Sequence, residues 1–247
     1  MPSDAPKFDK GTGMQERIRE LCAAINAIVD GADFDVTYYA KKLGGTVGVI
    51  MKTPNQTPEQ LLYHEYEDDP DGLLGFLDMS QKLRDMGFMY CGSGCFSSVF
   101  KHGDTHGVVY KLSMRTDDAY AAFALWARAN PNPHAPVLCD IQRGHSAVVF
   151  AIKEYVSLSQ AKSSGQLPTS FAAYRLMERV RENNPNTLYR SSLVKYLREI
   201  SKFFKGVACI DIHGENLMFD PDIKRIIVTD PVSSADYVGD SQCYSTT

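Results

Sequence analysis

The chain has 247 residues, 44% of them hydrophobic and 23% charged, which suits one large domain or two lobes with a real buried core. Its net charge of -4 argues against a nucleic-acid binder, because affinity for phosphate backbones comes mainly from Lys and Arg. No apolar run reaches the roughly 18 residues that a membrane span needs, and the polar start MPSDAPKFDKG is no secretory leader. The six scattered cysteines form no CxxC pair and read as free thiols in a reducing cytosol.

Residues 1–12 read as disordered. Over 13–30, Ile18, Leu21, Cys22, Ile25 and Ile28 recur at helical spacing. GGTVGVIMK (44–52) reads as a short strand or buried segment. TPEQLLYHEY (57–66) opens on Thr57 and Pro58, an N-cap and a first-turn proline, and predicts a helix. A second amphipathic helix spans 72–87 and stops at Gly87. From 88, FMYCG, SSVFKHG and GVVYKLS are strand-like runs separated by glycine-containing turns, an antiparallel meander. Residues 117–130 predict a helix that ends before Pro131, and VLCDIQR (137–143) and SAVVFAIKEY (146–155) a further hairpin. Helices are expected at 171–183 and 191–208, and a buried strand at RIIVTDP (225–231). The last residues read as a flexible tail.

CGSGCFSSVF (91–100) admits three readings: a loop over phosphates, a zinc site or a plain hairpin turn. Glycines such as Gly92 and Gly94 let backbone N–H groups approach a ligand closely. Lys111 lies in the next strand, where an apolar setting demands an anionic partner; a phosphate qualifies, and a solvent-facing lysine on an alternating strand is the plain alternative. The zinc reading takes Cys91, Cys95, His102 and His106, but the gap between the pairs is short and the histidines fall in a turn between strands. GGTVGVIMKT (44–53) lacks the glycine before Lys52 that a Walker loop requires. DIHGEN supplies Asp211 and Asn216, five apart, and Asp230 closes the strand RIIVT. Asn and Asp offer the hard oxygens Mg2+ prefers, while an aspartate can accept the proton of an attacking hydroxyl. Each acid alone reads as a cap or turn residue; together, after a glycine loop and a strand lysine, they point to phosphoryl transfer.

That order over 88–231 resembles the protein-kinase fold. More closely, GSGCFSSVF, AYAAF, VLCDIQR, KFFKGVACIDIHGENLMF and TDPVS resemble the early serine/threonine protein kinases of T-seven-like bacteriophages. The resemblance implies a two-lobe α+β fold: an N-terminal helical extension (1–87), a small antiparallel-sheet lobe (88–155), a truncated helical lobe carrying the catalytic loop (156–231) and a tail (232–247). It implies ATP and Mg2+ as cofactors, and host bacterial proteins as substrates in the host cytoplasm, with no direct nucleic-acid or membrane partner. By position, Gly92, Ser93, Gly94, Cys95, Phe96, Ser97 and Val99 would cover ATP, Lys111 would contact its α- and β-phosphates, and Glu154 and Tyr155 would lie beside adenine. Asp211 would orient or deprotonate the acceptor hydroxyl, and Asn216 and Asp230 would hold Mg2+.

The chain departs from the wider kinase pattern at several points. Ser97 stands where a third glycine is usual, Cys209-Ile210 replaces His-Arg, TDP replaces DFG, and no APE segment follows. No Glu lies between Lys111 and Glu154, so Asp117 or Asp118 would have to pair with the lysine. His213, two after Asp211, matches the D-x-H-x-x-N loops of atypical and small-molecule kinases, and is either near the phosphate or merely packed. The alternatives are therefore a small-molecule phosphotransferase and a degenerate kinase that sequesters a host factor. The acidic run EYEDDPD (65–71) reads as a solvated loop or a docking surface, and Ser233, Ser234, Ser241, Ser245, Thr246 and Thr247 are candidate autophosphorylation sites.

Overall fold

The computed structural model describes residues 12–30, 35–43, 46–52, 62–65, 73–94, 97–114, 118–144, 147–173, 175, 176, 180, 191–205 and 208–234. The chain forms two compact units interleaved in sequence: Phe8–Asp117 with Leu138–Lys153, and Asp118–Val137 with the chain from Glu154 onward.

The first unit is built on an antiparallel sheet of β4 (Phe88–Ser93), β5 (Ser97–His102), β6 (Val108–Met114), β7 (Leu138–Arg143) and β8 (Ala147–Lys153), in the order β4-β5-β6-β8-β7. These are the expected meander and hairpin. Alternation along each strand gives the sheet two faces. Phe100, Tyr110, Leu112, Val149 and Ala151 are buried on one. Helix α1 (Thr12–Asp30) packs against β7 and β8. Its Ile18, Leu21, Cys22 and Ile25 form one buried stripe, each apolar side chain contributing about 2 kcal/mol by leaving water. Gln15 Nε2 donates to the Cys139 carbonyl at 2.8 Å, and Gln142 Nε2 to the Arg19 carbonyl at 3.3 Å. Arg17 meets Asp104 at 2.7 Å, which lowers the carboxyl's pKa. Helix α2 (Leu73–Asp85) ends as predicted: Gly87 takes a φ of 88° and its N–H bonds the Arg84 carbonyl.

Between these helices the extension is not purely helical. β1 (Asp35–Leu43), β2 (Thr46–Lys52) and β3 (Leu62–Glu65) form an antiparallel sheet in that order. Leu62–Glu65 were expected in a helix; instead they pair with Gly48–Met51. Pairing with an available strand edge overrides local helix signals, and the proposed cap at Thr57 lies outside the described residues.

In the second unit, α3 (Asp118–Ala129) packs on α5 (Ser192–Phe204) through aromatic rings. Trp126 stacks on Tyr196 at 5.8 Å and also meets Phe203 and Phe204. Asn130 N–H and Nδ2 both bond the Trp126 carbonyl, closing α3 before Pro131. α5 buries Leu193, Val194, Tyr196, Leu197, Ile200 and Phe204. It stops short of the expected 208, because Ala208–Ile210 form β10 and pair with β13 (Val232–Ser234). The start of the predicted tail is therefore a strand; the rest lies outside the described residues. A second small sheet runs β12 (Arg225–Val228), β11 (Leu217–Asp220), β9 (Val156–Ser157). Helix α4 (Leu158–Ser163) begins with a capping box, Ser157 and Gln160 bonding each other's backbone N–H. Most of the helix expected at 171–183 lies outside the described residues. Cys22, Cys91 and Cys139 are free thiols as expected, whereas Cys209 is disulfide-bonded.

Candidate active site

The glycine loop joins β4 to β5. Gly94 N–H bonds the Ser97 carbonyl at 2.8 Å, closing the hairpin around Cys95 and Phe96, which lie outside the described residues. The register skips Cys91 between the Tyr90–Phe100 and Gly92–Val99 pairs, so a bulge precedes the glycines. A Cβ on Gly92 or Gly94 would meet no atom within 4 Å. The Gly92 backbone, at a φ of 156°, itself favours glycine, whereas at Gly94 the open space leaves room for close approach of a bound group. Ser93 is held by Tyr90, whose hydroxyl is 2.7 Å from its Oγ.

Lys111 shares a sheet row with this loop. Gly92 stands opposite Val99, Val99 opposite Lys111, and Lys111 opposite Phe150. Adjacent strands lie about 4.8 Å apart, so the lysine backbone is roughly 10 Å from Gly92. The row belongs to the face opposite Phe100, Tyr110 and Val149. Lys111 is 7% exposed, which answers the solvent-facing alternative. Asp117 and the side chain of Asp118 lie outside the described residues.

The zinc reading does not hold where it can be examined. His102 stands opposite Phe88, three residues along β4 from Cys91, a separation of about 10 Å. His102 packs its ring on Phe88, and no metal-binding cluster of three His, Cys, Asp or Glu exists among the described residues.

In the other unit, hydrogen bonds draw Asp211, Asn216 and the Asp230 backbone into one lattice. β10 delivers Asp211, whose N–H bonds the Pro231 carbonyl at 2.8 Å. A short 3-10 turn, Gly214–Asn216, brings Asn216 back beneath it. Asn216 Nδ2 donates to the Asp211 carbonyl at 2.6 Å and approaches Asp211 Oδ2 at 3.3 Å. Both are acceptors, so the amide nitrogen faces them and Oδ1 is turned away from Asp211. The Asn216 carbonyl accepts from Thr229 N–H at 2.9 Å and Thr229 Oγ1 at 3.0 Å. Asp230 is thus pinned through both chain neighbours, Thr229 to Asn216 and Pro231 to Asp211.

Asp211's side chain is 48% exposed, accessible to an incoming hydroxyl. His213 Nδ1 accepts the Glu215 N–H at 3.3 Å, so its proton sits on Nε2, 3.6 Å from Asp211 Oδ1. It is exposed and beside the carboxylate, rather than packed in a core. The Tyr155 side chain is buried and its hydroxyl accepts the Val137 N–H at 2.8 Å. Glu154, the other residue expected beside adenine, is half-buried. The oxygens of Asn216 and Asp230 are a donor set that fits Mg2+. Sequence reasoning missed Thr229 and His134, whose roles depend on backbone contacts across the fold.

A glycine hairpin with a lysine on the same sheet row, then an Asp-Asn-Asp lattice after a long helix, follow the chain order of a protein kinase. Residues 72–243 match the family described as Bacteriophage T7 protein kinase 0.7, and the chain belongs to that family. The curated proteins contain no match. Among solved structures, the chain is similar to Rad53 1-466 in complex with AMP-PNP, at 12% identity and a TM-score of 0.37. The alignment covers 75% of this chain and 55% of that one. No helix among the described residues is long and apolar enough to cross a membrane.

Proposed function

We propose that this chain is an ATP- and Mg2+-dependent serine/threonine kinase that phosphorylates host bacterial proteins during phage infection. What supports the reading most is the lattice joining Asp211, Asn216 and the two neighbours of Asp230. The acceptor hydroxyl oxygen attacks the γ-phosphorus in line, the bond to the β,γ-bridging oxygen breaks and ADP leaves. The hydroxyl proton passes to the Asp211 carboxylate. Asn216 holds that carboxylate in place from one side. Lys111 and the glycine loop from Gly92 to Ser97 cover the phosphates, and the backbone at Glu154 and Tyr155 lies beside adenine. Asn216 Oδ1 and the Asp230 carboxylate would hold Mg2+, which when bound neutralises phosphate charge. Catalysis then comes from positioning and charge stabilisation.

The His213–Asp211 contact favours one second reading, a small-molecule phosphotransferase. Host lysate with γ-labelled ATP separates the two. Label on serine and threonine of proteins supports the kinase, label confined to small molecules supports the alternative, and equal labelling by wild type and Asp211→Asn sinks both.

A further inference from the structure

Among the described residues β12 is an edge strand, paired with β11 on one side only. Its outward-facing groups at Ile226 and Val228 need partners. Both find them in His134, in the segment after α3. The His134 carbonyl accepts the Val228 N–H at 2.9 Å, and His134 Nδ1 lies 2.7 Å from the Ile226 carbonyl oxygen. That oxygen can only accept, so Nδ1 carries the proton. On the far side Nε2 lies 2.7 Å from Ser192 Oγ at the start of α5. Asn132 Oδ1 accepts the His134 N–H at 3.0 Å, and the residue is 6% exposed. One residue, through its backbone carbonyl and its ring, therefore stands in for a strand neighbour, and the ring ties the strand to the helix.

The opposite side of the same strand end leads to the active site. Thr229 bonds Asn216, and Asp230 follows at once. Residues 226–229 are thus gripped from outside by His134 and from inside by Asn216. We propose that His134 is a positioning residue: by fixing the β12 edge it sets where Asp230 stands relative to Asn216. The proposal rests on the reading of those two residues as the pair that holds Mg2+.

Two buried amides test it. His134→Asn places an N–H donor near the position of Nδ1 and keeps the Ile226 bond; His134→Gln reaches toward Ser192 and loses it. The readouts are the rise in thermal midpoint when Mg2+ is titrated with AMP-PNP, and the Mg2+ concentration for half-maximal transfer at fixed ATP. His134→Gln should need about tenfold more Mg2+ in both, as loss of an outer support of a metal site does, with the ATP KM at saturating Mg2+ unchanged. His134→Asn should stay near wild type, as should Ser192→Ala. Equal Mg2+ requirements in the Asn and Gln variants overturn the proposal while leaving the metal reading standing. A wild type that shows no Mg2+ response with AMP-PNP overturns the metal reading and this role with it.

Discussion

In the proposed mechanism the chemistry turns on Asp211, and its surroundings explain why Asn would not replace it. The amide would present an N–H where the acceptor proton must go, while the backbone bond to Pro231 and the bond to Asn216 through the main-chain carbonyl remain. Asp211→Asn should therefore fold normally and lose about 10^2- to 10^4-fold in transfer, the range for a removed general base. Circular dichroism with a transfer assay checks both halves. His134 makes a different residue-scale prediction. Burial, and then Arg225, lower its pKa against the opposing effect of the Ile226 bond. The unfolded chain thus takes up a proton first, near the ordinary value of about 6.5. Stability from the neutral ring is complete above that pH and is lost as pH falls through the folded value. Urea midpoints at pH 7.5 and 5.5 should fall further in wild type than in His134→Asn; equal losses would remove His134 as the cause.

At the scale of elements, Tyr155 and Val137 flank the points where the chain passes between units, at 137/138 and 153/154. Tyr155→Phe leaves the Val137 N–H without its acceptor, and should cost about 1–3 kcal/mol in a denaturant titration. The sheet of five strands was legible in the sequence, because alternation and glycine-bounded runs are local signals. β10 and β13 were not, since each exists through pairing with a distant partner, and at β3 pairing with the neighbouring β2 overrode a local helix signal. The capping box at Ser157–Gln160 was a local signal that was available and went unread. Asp211, Asn216 and Asp230 were legible as a set through chain order. What holds them, Thr229 and Pro231 through backbone groups and His134 across the strand edge, leaves no pattern in composition or spacing.

For the whole molecule, the N-terminal helix lies outside the family match, which begins at residue 72, yet it supplies buried core to the sheet that carries Lys111. Deleting residues 1–30 uncovers the apolar face of Tyr110, Val149 and Ala151, and should give an aggregating or unfolded protein rather than a smaller active kinase. Size-exclusion chromatography of the truncated chain decides this: a monomeric, active product would mean that α1 is dispensable. Phosphate transfer to host proteins by the lattice around Asp211 is read out by incubating host lysate and γ-labelled ATP with wild type or folded Asp211→Asn, then hydrolysing the proteins to phosphoamino acids. Wild type should give labelled phosphoserine and phosphothreonine, and the variant at least about 10^2-fold less. Equal labelling by the two proteins, or none by wild type, would rule out Asp211-dependent transfer to serine and threonine.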